Sequence, residues 1–373
     1  MLIVCDENMP GLDALAAAGA TLRTLPGRAI TRAHLRAADA LLVRSVTRVD
    51  ETLLEDTPVR FVGTATSGTD HIDRGALERL GVAFAAAAGA NANAVAEYVL
   101  AVLATLEDPL ATLLGGGRVG IVGYGHVGRC LGARLDALGI RWCATDPWLP
   151  KGVLARPATL AEVLACDVVT LHCSLVTQAP WPSRHLLDEH ALDRLPPGAL
   201  LINASRGPVV DNTALAAWLA GGQGRAVLDV WETEPEVPEP LLERVSLATP
   251  HIAGYSLEAR LAGTQRVVAA MDQALGTAFA AALTPPPASP LALPESNERG
   301  ELLRGLLLGR YQPRDDDRRL REALADAGTD RGAAFDQLRR DYPLRRELAG
   351  NPVCGGSAQA REVAAALGCL MVS

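Results

Sequence analysis

The stretch that most constrains the fold runs from Arg118 to Asp146. A short apolar run is followed by three glycines in G-x-G-x-x-G spacing, by leucines at helical spacing, and by a second apolar run that ends on an acid. The glycines are Gly123, Gly125 and Gly128. The first allows a tight strand-to-helix turn, the second lets the backbone approach a pyrophosphate, and the third lets the helix pack closely on the strand. The combination predicts a dinucleotide-binding βαβ unit.

Asp146 ends the second strand of this unit and bears on the choice of cofactor. It lies 18 residues beyond Gly128, where a carboxylate can accept hydrogen bonds from both ribose hydroxyls and repel a 2′-phosphate. The expected cofactor is therefore NAD rather than NADP. We expect His126 and Val127, at the helix start, to face the cofactor phosphates together with the glycines. A glycine-rich turn without a ligand and an S-adenosylmethionine site are the alternatives.

The composition is that of an ordinary globular protein. Of the 373 residues, 49% are hydrophobic and 21% are charged, and the length suits two or three domains. A net charge of −8 gives no electrostatic attraction to nucleic acid or to an anionic membrane, and no apolar run is long enough to span a bilayer. The seven cysteines are scattered and never form a C-x-x-C pair. This predicts reduced thiols in the cytoplasm and no metal site.

Apolar runs alternate with helical patterns through residues 1–85, which predicts a small doubly wound parallel sheet of about five strands. A long amphipathic helix should begin with a cap at Asn93 and end at Asp108 and Pro109. The βα alternation then continues through a nucleotide domain of six or seven strands. A second long helix is expected over residues 257–275.

The predicted fold class is α/β, in three parts. A Rossmann-type NAD-binding domain, residues 94–252, is inserted into a flavodoxin-like substrate-binding domain that comprises residues 1–93 and 253–284. A proline-rich linker then leads into a small C-terminal α/β domain within residues 285–373. We expect this last domain to mediate homodimer formation. The alternative is an extension that packs on its own subunit.

Three polar residues follow later strands of the nucleotide domain: Arg206, Glu234 and His251. An arginine beside a glycine can present a fixed fork to a carboxylate, and a histidine near a carboxylate is the usual means of moving a proton at neutral pH. Asp229, at another strand end, can bind the nicotinamide amide or hold the pocket. Singly, each residue has an ordinary structural explanation, such as a salt bridge or a buried imidazole. Together with a dinucleotide site, they predict oxidation of an alcohol by hydride transfer.

With these residues, the sequence resembles the D-2-hydroxyacid dehydrogenase family. The likeness is carried by the glycine motif and by L-I-N-A-S-R-G, V-L-D-V-W-E and A-T-P-H-I-A-G-Y-S, and it covers residues 1 to about 280. V-C-D-E-N-M-P, L-L-V-R-S-V-T-R-V and G-T-A-T-S-G-T-D-H-I-D carry a closer match within the family. The resemblance implies NAD-dependent oxidation of a small phosphorylated 2-hydroxy acid of four carbons, in the biosynthesis of pyridoxal 5′-phosphate (vitamin B6), by a homodimer.

The resemblance also implies roles for individual residues. It makes His251 the general acid and base, Glu234 its partner, and Arg206 the catalytic arginine. The other implied contacts are to the substrate, at Ser45, Thr66 and Tyr255, and to the cofactor, at Asp146, Cys173, Asp229 and Gly254. Cys173 stands where the family more often has threonine. For the substrate phosphate, Arg44 is our first choice because a guanidinium can bind it through paired hydrogen bonds.

The sequence is also compatible with two other functions. The first is a different D-2-hydroxyacid dehydrogenase, such as one that acts on phosphoglycerate. The second is a non-catalytic NAD(H)-sensing protein on the same fold, which could keep the three polar residues without turning over a substrate.

Overall fold

The computed structural model describes residues 1–106, 108–325 and 330–372, so the domain predicted over residues 285–373 is described without residues 326–329 and 373. In chain order, the strands are β1 Leu2–Asp6, β2 Thr21–Leu25, β3 Ala40–Val43, β4 Phe61–Thr64, β5 Ala83–Ala86, β6 Arg118–Val122, β7 Arg141–Thr145, β8 Val168–Leu171, β9 Leu200–Asn203, β10 Arg225–Leu228, β11 Leu247–Ala248, β12 Leu291–Ala292, β13 Pro352–Cys354 and β14 Leu370–Met371.

The α-helices, in chain order, are α1 Leu12–Ala17, α2 Arg32–Leu35, α3 Glu51–Leu54, α4 Arg74–Arg79, α5 Ala92–Leu106, α6 Asp108–Leu114, α7 His126–Ala137, α8 Leu160–Leu164, α9 Glu189–Leu192, α10 Asn212–Ala220, α11 Glu239–Leu242, α12 Leu257–Leu275, α13 Arg299–Arg310, α14 Pro313–Leu324, α15 Arg331–Arg340 and α16 Ala358–Ala366. Short 3₁₀ turns occur at Gly27–Ala29, Gly207–Val209 and Phe279–Ala282. Among these described helices, none is both long enough and apolar enough to cross a membrane.

The chain divides into two compact units. The first unit comprises Met1–Ala92 and Tyr255–Pro287, and the second comprises Asn93–Gly254 and Ala288–Ser373.

The first unit is built on a five-stranded parallel sheet in the order β2-β1-β3-β4-β5. This is the flavodoxin-like order. Successive residues of a strand point to opposite faces of the sheet, and helices cover both faces of a parallel sheet. Accordingly, Ile3 and Cys5 lie in one hydrophobic cluster with Met271 of α12, while Val4 lies in another with Leu54 of α3. The predicted doubly wound sheet is confirmed.

The second unit contains a six-stranded parallel sheet in the order β11-β10-β9-β8-β6-β7. The chain passes from β6 to β7 on one side and then crosses to β8 on the other, as in Rossmann-type folds. Ligands of such sheets bind beyond the carboxyl ends of the strands, where the strand order reverses. In this unit, that point lies at the ends of β6 and β8, where the glycine motif begins.

The C-terminal residues also belong to the second unit. They form helices α13 to α16 and a three-stranded parallel sheet in the order β12-β13-β14. Leu320, Leu324 and Phe335 are buried in the same hydrophobic cluster as Trp231 and Leu241. The C-terminal helices therefore share a core with the nucleotide-binding sheet.

One local prediction about a helix end is wrong. Asn93 lies inside α5 rather than at its cap, and its side-chain amide donates to the carboxylates of Glu97 and Glu347. The described part of α5 ends at Leu106, before Asp108 and Pro109 as predicted, but these two residues also begin α6, which was not predicted. The cause is that proline, with its fixed φ and missing N–H, suits the first turn of a helix as well as the position after one.

Candidate active site

The glycine turn joins β6 to α7 in the conformation that the motif requires. Gly123 has a φ of +92°, and a Cβ there would come within 2.5 Å of the backbone nitrogen of Cys173. A Cβ on Gly128 would overlap the carbonyl oxygen of Gly123. By contrast, a Cβ on Gly125, the N-cap of α7, would meet no atom within 4 Å. Gly123 and Gly128 are thus needed for packing, and Gly125 leaves open space at a helix N-terminus, as a pyrophosphate requires.

Asp146 follows β7 and lies beside the glycine turn. Its Oδ2 accepts a hydrogen bond from the backbone N–H of Tyr124 at 2.9 Å, and its Oδ1 accepts one from that of Trp148 at 3.1 Å. Each oxygen keeps a second lone pair for a ribose hydroxyl. At the start of α7, His126 is exposed and Val127 is half-buried. The predicted cofactor contacts around the first βαβ turn therefore lie together.

Glu234 and His251 form a direct hydrogen bond. The two residues follow β10 and β11, and the distance from His251 Nδ1 to Glu234 Oε2 is 2.8 Å. The other carboxylate oxygen of Glu234 accepts from the backbone N–H of Trp231 at 2.7 Å. Burial acts to raise the pKa of Glu234, but the charge and hydrogen bond of His251 outweigh it, so the pKa lies below its ordinary value. Glu234 is therefore ionised at neutral pH and can stabilise a charged imidazole.

The loop of residues 249–253 holds His251 with a φ of +56°, in the left-handed region that residues other than glycine rarely adopt. Asp229, buried just after β10, organises this loop. Its Oδ1 accepts from Thr249 Oγ1 at 2.7 Å and from the Ile252 N–H at 2.8 Å. Its Oδ2 accepts from the Ala253 N–H at 3.0 Å, and its carbonyl accepts from the His251 N–H at 2.7 Å. Of the two roles considered for Asp229, these bonds favour holding the pocket.

Arg206 follows β9 as the N-cap of the turn Gly207–Val209. Its Nη1 donates to the carbonyl of Ser205 at 2.7 Å, and its own carbonyl accepts from Asn203 Nδ2 at 3.0 Å. The backbone at Gly207 packs so closely on the carbonyl of Trp231 that a Cβ would overlap it. Arg206 is thus anchored at the carboxyl end of the sheet, the edge to which β10 and β11 bring Glu234 and His251.

Two further predicted cofactor contacts lie in loops of the second unit. Cys173 comes after β8, and its backbone packs against Gly123 across the ends of neighbouring strands. Burial raises the pKa of its thiol to about 11, so Cys173 is a neutral thiol. Gly254 lies in a turn with Ala253, three residues after His251, and is the last residue of the segment Asn93–Gly254.

The predicted substrate contacts all belong to the first unit. Arg44 and the exposed Ser45 follow β3, and Thr66 follows β4. Arg44 Nη2 donates to the hydroxyl of Tyr255 at 2.7 Å, and the guanidinium lies 5.2 Å from the centre of the Tyr255 ring. The hydroxyl of Thr66 donates to the carbonyl of Gly68 at 3.0 Å. The structure thus pairs Arg44 with Tyr255, while Thr66 is bonded within its own loop.

Arg260, in the first turn of α12, is a residue that the sequence patterns did not single out. Its guanidinium lies 5.9 Å from the centre of the Tyr255 ring, so two arginines flank one aromatic ring. Its Nη2 donates to the carbonyl of Asn8 at 2.9 Å, whereas its buried Nε has no hydrogen-bond partner among the described residues. Burial, followed by the charge of Arg44, lowers the pKa of Arg260. A cation at a helix N-terminus opposes the helix dipole, so its position in the sequence at the start of α12 could have drawn attention to Arg260.

Two family models match the chain, one over most of each segment of the second unit. The family model described as "D-isomer specific 2-hydroxyacid dehydrogenase, NAD binding domain" matches residues 89–253, and "Domain of unknown function (DUF3410)" matches residues 282–368. A relative from Pseudomonas putida, named erythronate-4-phosphate dehydrogenase, is 43% identical over 100% of both chains. One from Stutzerimonas stutzeri with the same name is 46% identical over 94% of this chain and 93% of its own.

The chain belongs to the erythronate-4-phosphate dehydrogenase family. As a member of it, the chain is an NAD-dependent oxidoreductase of the D-2-hydroxyacid dehydrogenase type, as predicted. Among solved structures, the NAD⁺-bound 3-phosphoglycerate dehydrogenase of Entamoeba histolytica aligns with a TM-score of 0.63 at 21% identity, over 74% of this chain and 96% of that one. That likeness confirms the fold. The predicted cofactor is likewise confirmed as NAD by the NAD-binding domain in the second unit.

Proposed function

We propose that this chain oxidises 4-phospho-D-erythronate to 3-hydroxy-2-oxo-4-phosphooxybutanoate, with NAD as the hydride acceptor, in the biosynthesis of pyridoxal 5′-phosphate. The relatives from P. putida and S. stutzeri are named for activity on erythronate 4-phosphate. The observation that carries the proposal is the 2.8 Å hydrogen bond between His251 and Glu234 within an NAD-binding domain. It supplies an oriented base for the hydroxyl proton, which an alcohol oxidation needs.

The residues of the second unit fit NAD. The space above Gly125 and the N–H groups of His126 and Val127 suit the pyrophosphate. The carboxylate of Asp146 suits the ribose hydroxyls and disfavours a 2′-phosphate. We assign Cys173, Asp229 and Gly254 to the cofactor pocket as well, Asp229 chiefly through the loop it holds. When bound, NAD takes the hydride that leaves C2 of the substrate.

In this mechanism, His251 is the general acid and base. Its Nδ1–H donates to the ionised Glu234, so Nε2 carries the lone pair that accepts the C2 hydroxyl proton during oxidation. Glu234 stabilises the imidazolium that forms, and in the reverse reaction Nε2 returns the proton. Arg206 binds the C1 carboxylate and polarises the forming ketone through charge-assisted hydrogen bonds.

Within the first unit, Arg44 and Arg260 bind the substrate phosphate. Both guanidinium groups flank Tyr255, and the pKa of Arg260 is lowered first by burial and then by the charge of Arg44. A dianionic phosphate relieves the repulsion between the two cations and accepts charge-assisted hydrogen bonds from both groups. The hydroxyls of Ser45, Thr66 and Tyr255 complete the substrate contacts.

The test is to measure NADH formation with 4-phospho-D-erythronate, 3-phospho-D-glycerate and D-lactate, using hydrazine to trap the 2-oxo acid. We expect a strong preference in kcat/KM for the four-carbon phosphate. A preference for another acid would keep the NAD-dependent chemistry and overturn the substrate. NADH binding without turnover of any 2-hydroxy acid would favour the sensing protein.

We also propose that the chain forms a homodimer through its C-terminal residues. β14 is an edge strand of the sheet β12-β13-β14. Its side chains Leu370 and Met371 are 55% and 42% exposed, and Leu344 is 72% exposed. An apolar edge strand has unpaired N–H and C=O groups that a second copy can satisfy. Light scattering after gel filtration should give twice the chain mass for the wild type and the chain mass for Leu370→Arg. A monomeric wild type at micromolar concentration would contradict the proposal.

A cytoplasmic location completes the proposal. The seven cysteines are all free thiols, and Cys143 and Cys166 form a thiol hydrogen bond, 3.7 Å from sulfur to sulfur, rather than a disulfide. Reduced thiols at this distance suit a compartment kept reducing by cellular thiol systems. Cell fractionation with an antibody to the native protein tests this, and recovery from an oxidising compartment would contradict it.

A further inference from the structure

Arg345 is a buried arginine in the segment between α15 and β13, only 7% exposed. Its guanidinium donates to three backbone carbonyls. The distances are 3.3 Å to Ile252 and, from Nη2, 2.6 Å to Ala253 and 2.9 Å to Ala94. Ile252 and Ala253 directly follow His251. A side chain from the C-terminal residues thus binds the loop that carries the proposed general base.

Two charged side chains of opposite sign bind the backbone of Ile252 and Ala253, one at the N–H groups and the other at the carbonyl groups. The N–H groups of Ile252 and Ala253 donate to the carboxylate of Asp229, and their carbonyls accept from Arg345. Charge-assisted hydrogen bonds at both groups fix the orientation of the backbone. His251 needs this, because a residue other than glycine keeps a left-handed φ, here +56°, only where its surroundings enforce it.

Arg345 is itself held rigidly by the C-terminal residues. Its guanidinium lies 4.4 Å from the centre of the Tyr311 ring. The hydroxyls of Tyr311 and Tyr342 both donate to Asp316 Oδ2 at 2.8 Å, and Asp316 is 2% exposed. The negative charge of Asp316, which forms its direct ion pair with Arg319, also offsets part of the cost of burying the Arg345 cation. Tyr311 also contacts Tyr98 of α5, with ring centres 6.0 Å apart.

We propose that Arg345 is a positioning residue for proton transfer: by binding the carbonyls of Ile252 and Ala253, it keeps the imidazole of His251 hydrogen-bonded to Glu234. Without this contact, the loop relaxes away from its left-handed conformation, and the hydrogen bond is made for a smaller fraction of the time. The inference rests on the proposed function of His251. It gives the residues matched by the domain of unknown function, 282–368, a part in catalysis.

The first test compares Arg345→Met and Arg345→Lys with Arg310→Met in the full-length protein. Arg310 is a suitable control because it lies in the same region and donates to a backbone carbonyl, that of Pro352, away from the loop. We expect Arg345→Met to lower kcat about 10- to 100-fold, the effect of losing hydrogen bonds from a charged group. We expect NADH affinity to stay within about twofold, since only the loop carbonyls are affected. Arg345→Lys should recover part of kcat, and Arg310→Met should resemble the wild type.

The second readout is the pH profile of kcat/KM. A weaker bond between His251 and Glu234 stabilises the imidazolium less and moves the acid limb to lower pH, whereas loss of the Arg345 cation by itself would move it to higher pH. A net shift of the acid limb to lower pH in Arg345→Met therefore identifies the weaker bond. A purely structural role would reduce kcat and the number of NADH-binding sites together and leave the limb in place. That result, or a kcat within about twofold of the wild type, would overturn the proposal. If Arg345→Met does not fold, Arg345→Lys decides, and a wild-type kcat and acid limb for it would also overturn the proposal.

A substrate-free measurement separates this inference from the proposed function. The ring ¹⁵N signal of His251, identified by its loss in His251→Asn, is titrated in the NADH complexes of the wild type and Arg345→Met. A titration midpoint at lower pH in the variant supports positioning by Arg345 even if 4-phospho-D-erythronate is not the substrate. Equal midpoints overturn the positioning role and leave the substrate assignment untouched.

Discussion

The loop that carries His251 and the arginine pair around Tyr255 hold their charged groups in different ways. In the loop, the backbone groups from His251 to Ala253 are bound by Asp229 and Arg345. In the arginine pair, two cations share one aromatic ring, and one of them keeps a buried N–H without a partner among the described residues.

The difference follows from what each group has to do. A general base, the role proposed for His251, must point one lone pair at one proton, and small errors in its direction are costly. The backbone of its loop is accordingly held by hydrogen bonds before the substrate arrives. A phosphate presents several equivalent oxygens to its binding groups. Its site can therefore keep unsatisfied charge until the anion binds, and it gains affinity from doing so.

The largest expected effect is that of His251→Asn. Removing the proposed general base should lower kcat about 10²- to 10⁴-fold, while NADH affinity is nearly unchanged because the glycine turn is intact. Steady-state kinetics and fluorescence titration with NADH measure the two quantities. A variant that keeps more than a tenth of the wild-type rate would refute the assignment of His251.

Glu234→Gln should come next, with a loss of about 100-fold in kcat/KM from removing a charged partner. The acid limb of its pH profile of kcat/KM should move to lower pH, because a neutral amide stabilises the imidazolium of His251 less.

The stability of Glu234→Gln gives a second readout. Since the folded-state pKa of Glu234 lies below its ordinary 4.5, its ionised form contributes stability above about that pH and loses it as the pH falls through the folded-state pKa. Urea unfolding should show Glu234→Gln less stable than the wild type at neutral pH, by a margin that shrinks in acid. A constant margin would argue against an ionised Glu234.

Arg260→Gln should raise KM for 4-phospho-D-erythronate about 10-fold, the lower end for a charged hydrogen bond because Arg44 remains. The kinetics with unphosphorylated D-erythronate should not change. Arg266→Gln is the matched control, since Arg266 lies in the same helix and donates to the carbonyl of Ala88. An equal rise in KM with both substrates would place the effect of Arg260 away from the phosphate.

Cys173→Thr should have the smallest effect. The backbone of Cys173 contacts Gly123, and its thiol is neutral, so we expect the Kd of NADH to change less than about threefold, below the worth of one hydrogen bond. Isothermal titration measures this. A gain in affinity of tenfold or more would mean that a hydroxyl contact is missing from this chain.

The cofactor turn was predictable because its information is local. Residues from Gly123 to Asp146 lie within one βαβ unit. Gly128 packs against Gly123 of the same turn, and Gly125 leaves open space at the helix start. The sheet order in the first unit was likewise predictable, since short alternating strands and helices leave few ways to connect a parallel sheet. By contrast, the helix that begins at Asp108 and Pro109 was missed, because the same residues suit the end of one helix and the start of the next.

The supports of the candidate site were beyond the sequence because they join distant segments. Asp229 reaches the backbone of Ile252 and Ala253, and Arg345 reaches the same backbone from the C-terminal residues. In the sequence, Arg345 lies in L-R-R-E-L, where mixed charges suggest a solvated surface. Only tertiary packing reveals that this side chain is buried.

The shared core of the second unit also has a consequence for synthesis on the ribosome. The nucleotide-binding sheet is complete once Ala248 has been made, yet Leu320, Leu324 and Phe335 belong to the hydrophobic cluster beneath it. A nascent or prematurely terminated chain that stops before these residues exposes the apolar surface they would cover, and chaperones and proteases act on such surfaces. We therefore expect nonsense mutations between the codons of Ala248 and Leu320 to remove the protein from the cell rather than to leave a shortened NAD-binding fragment.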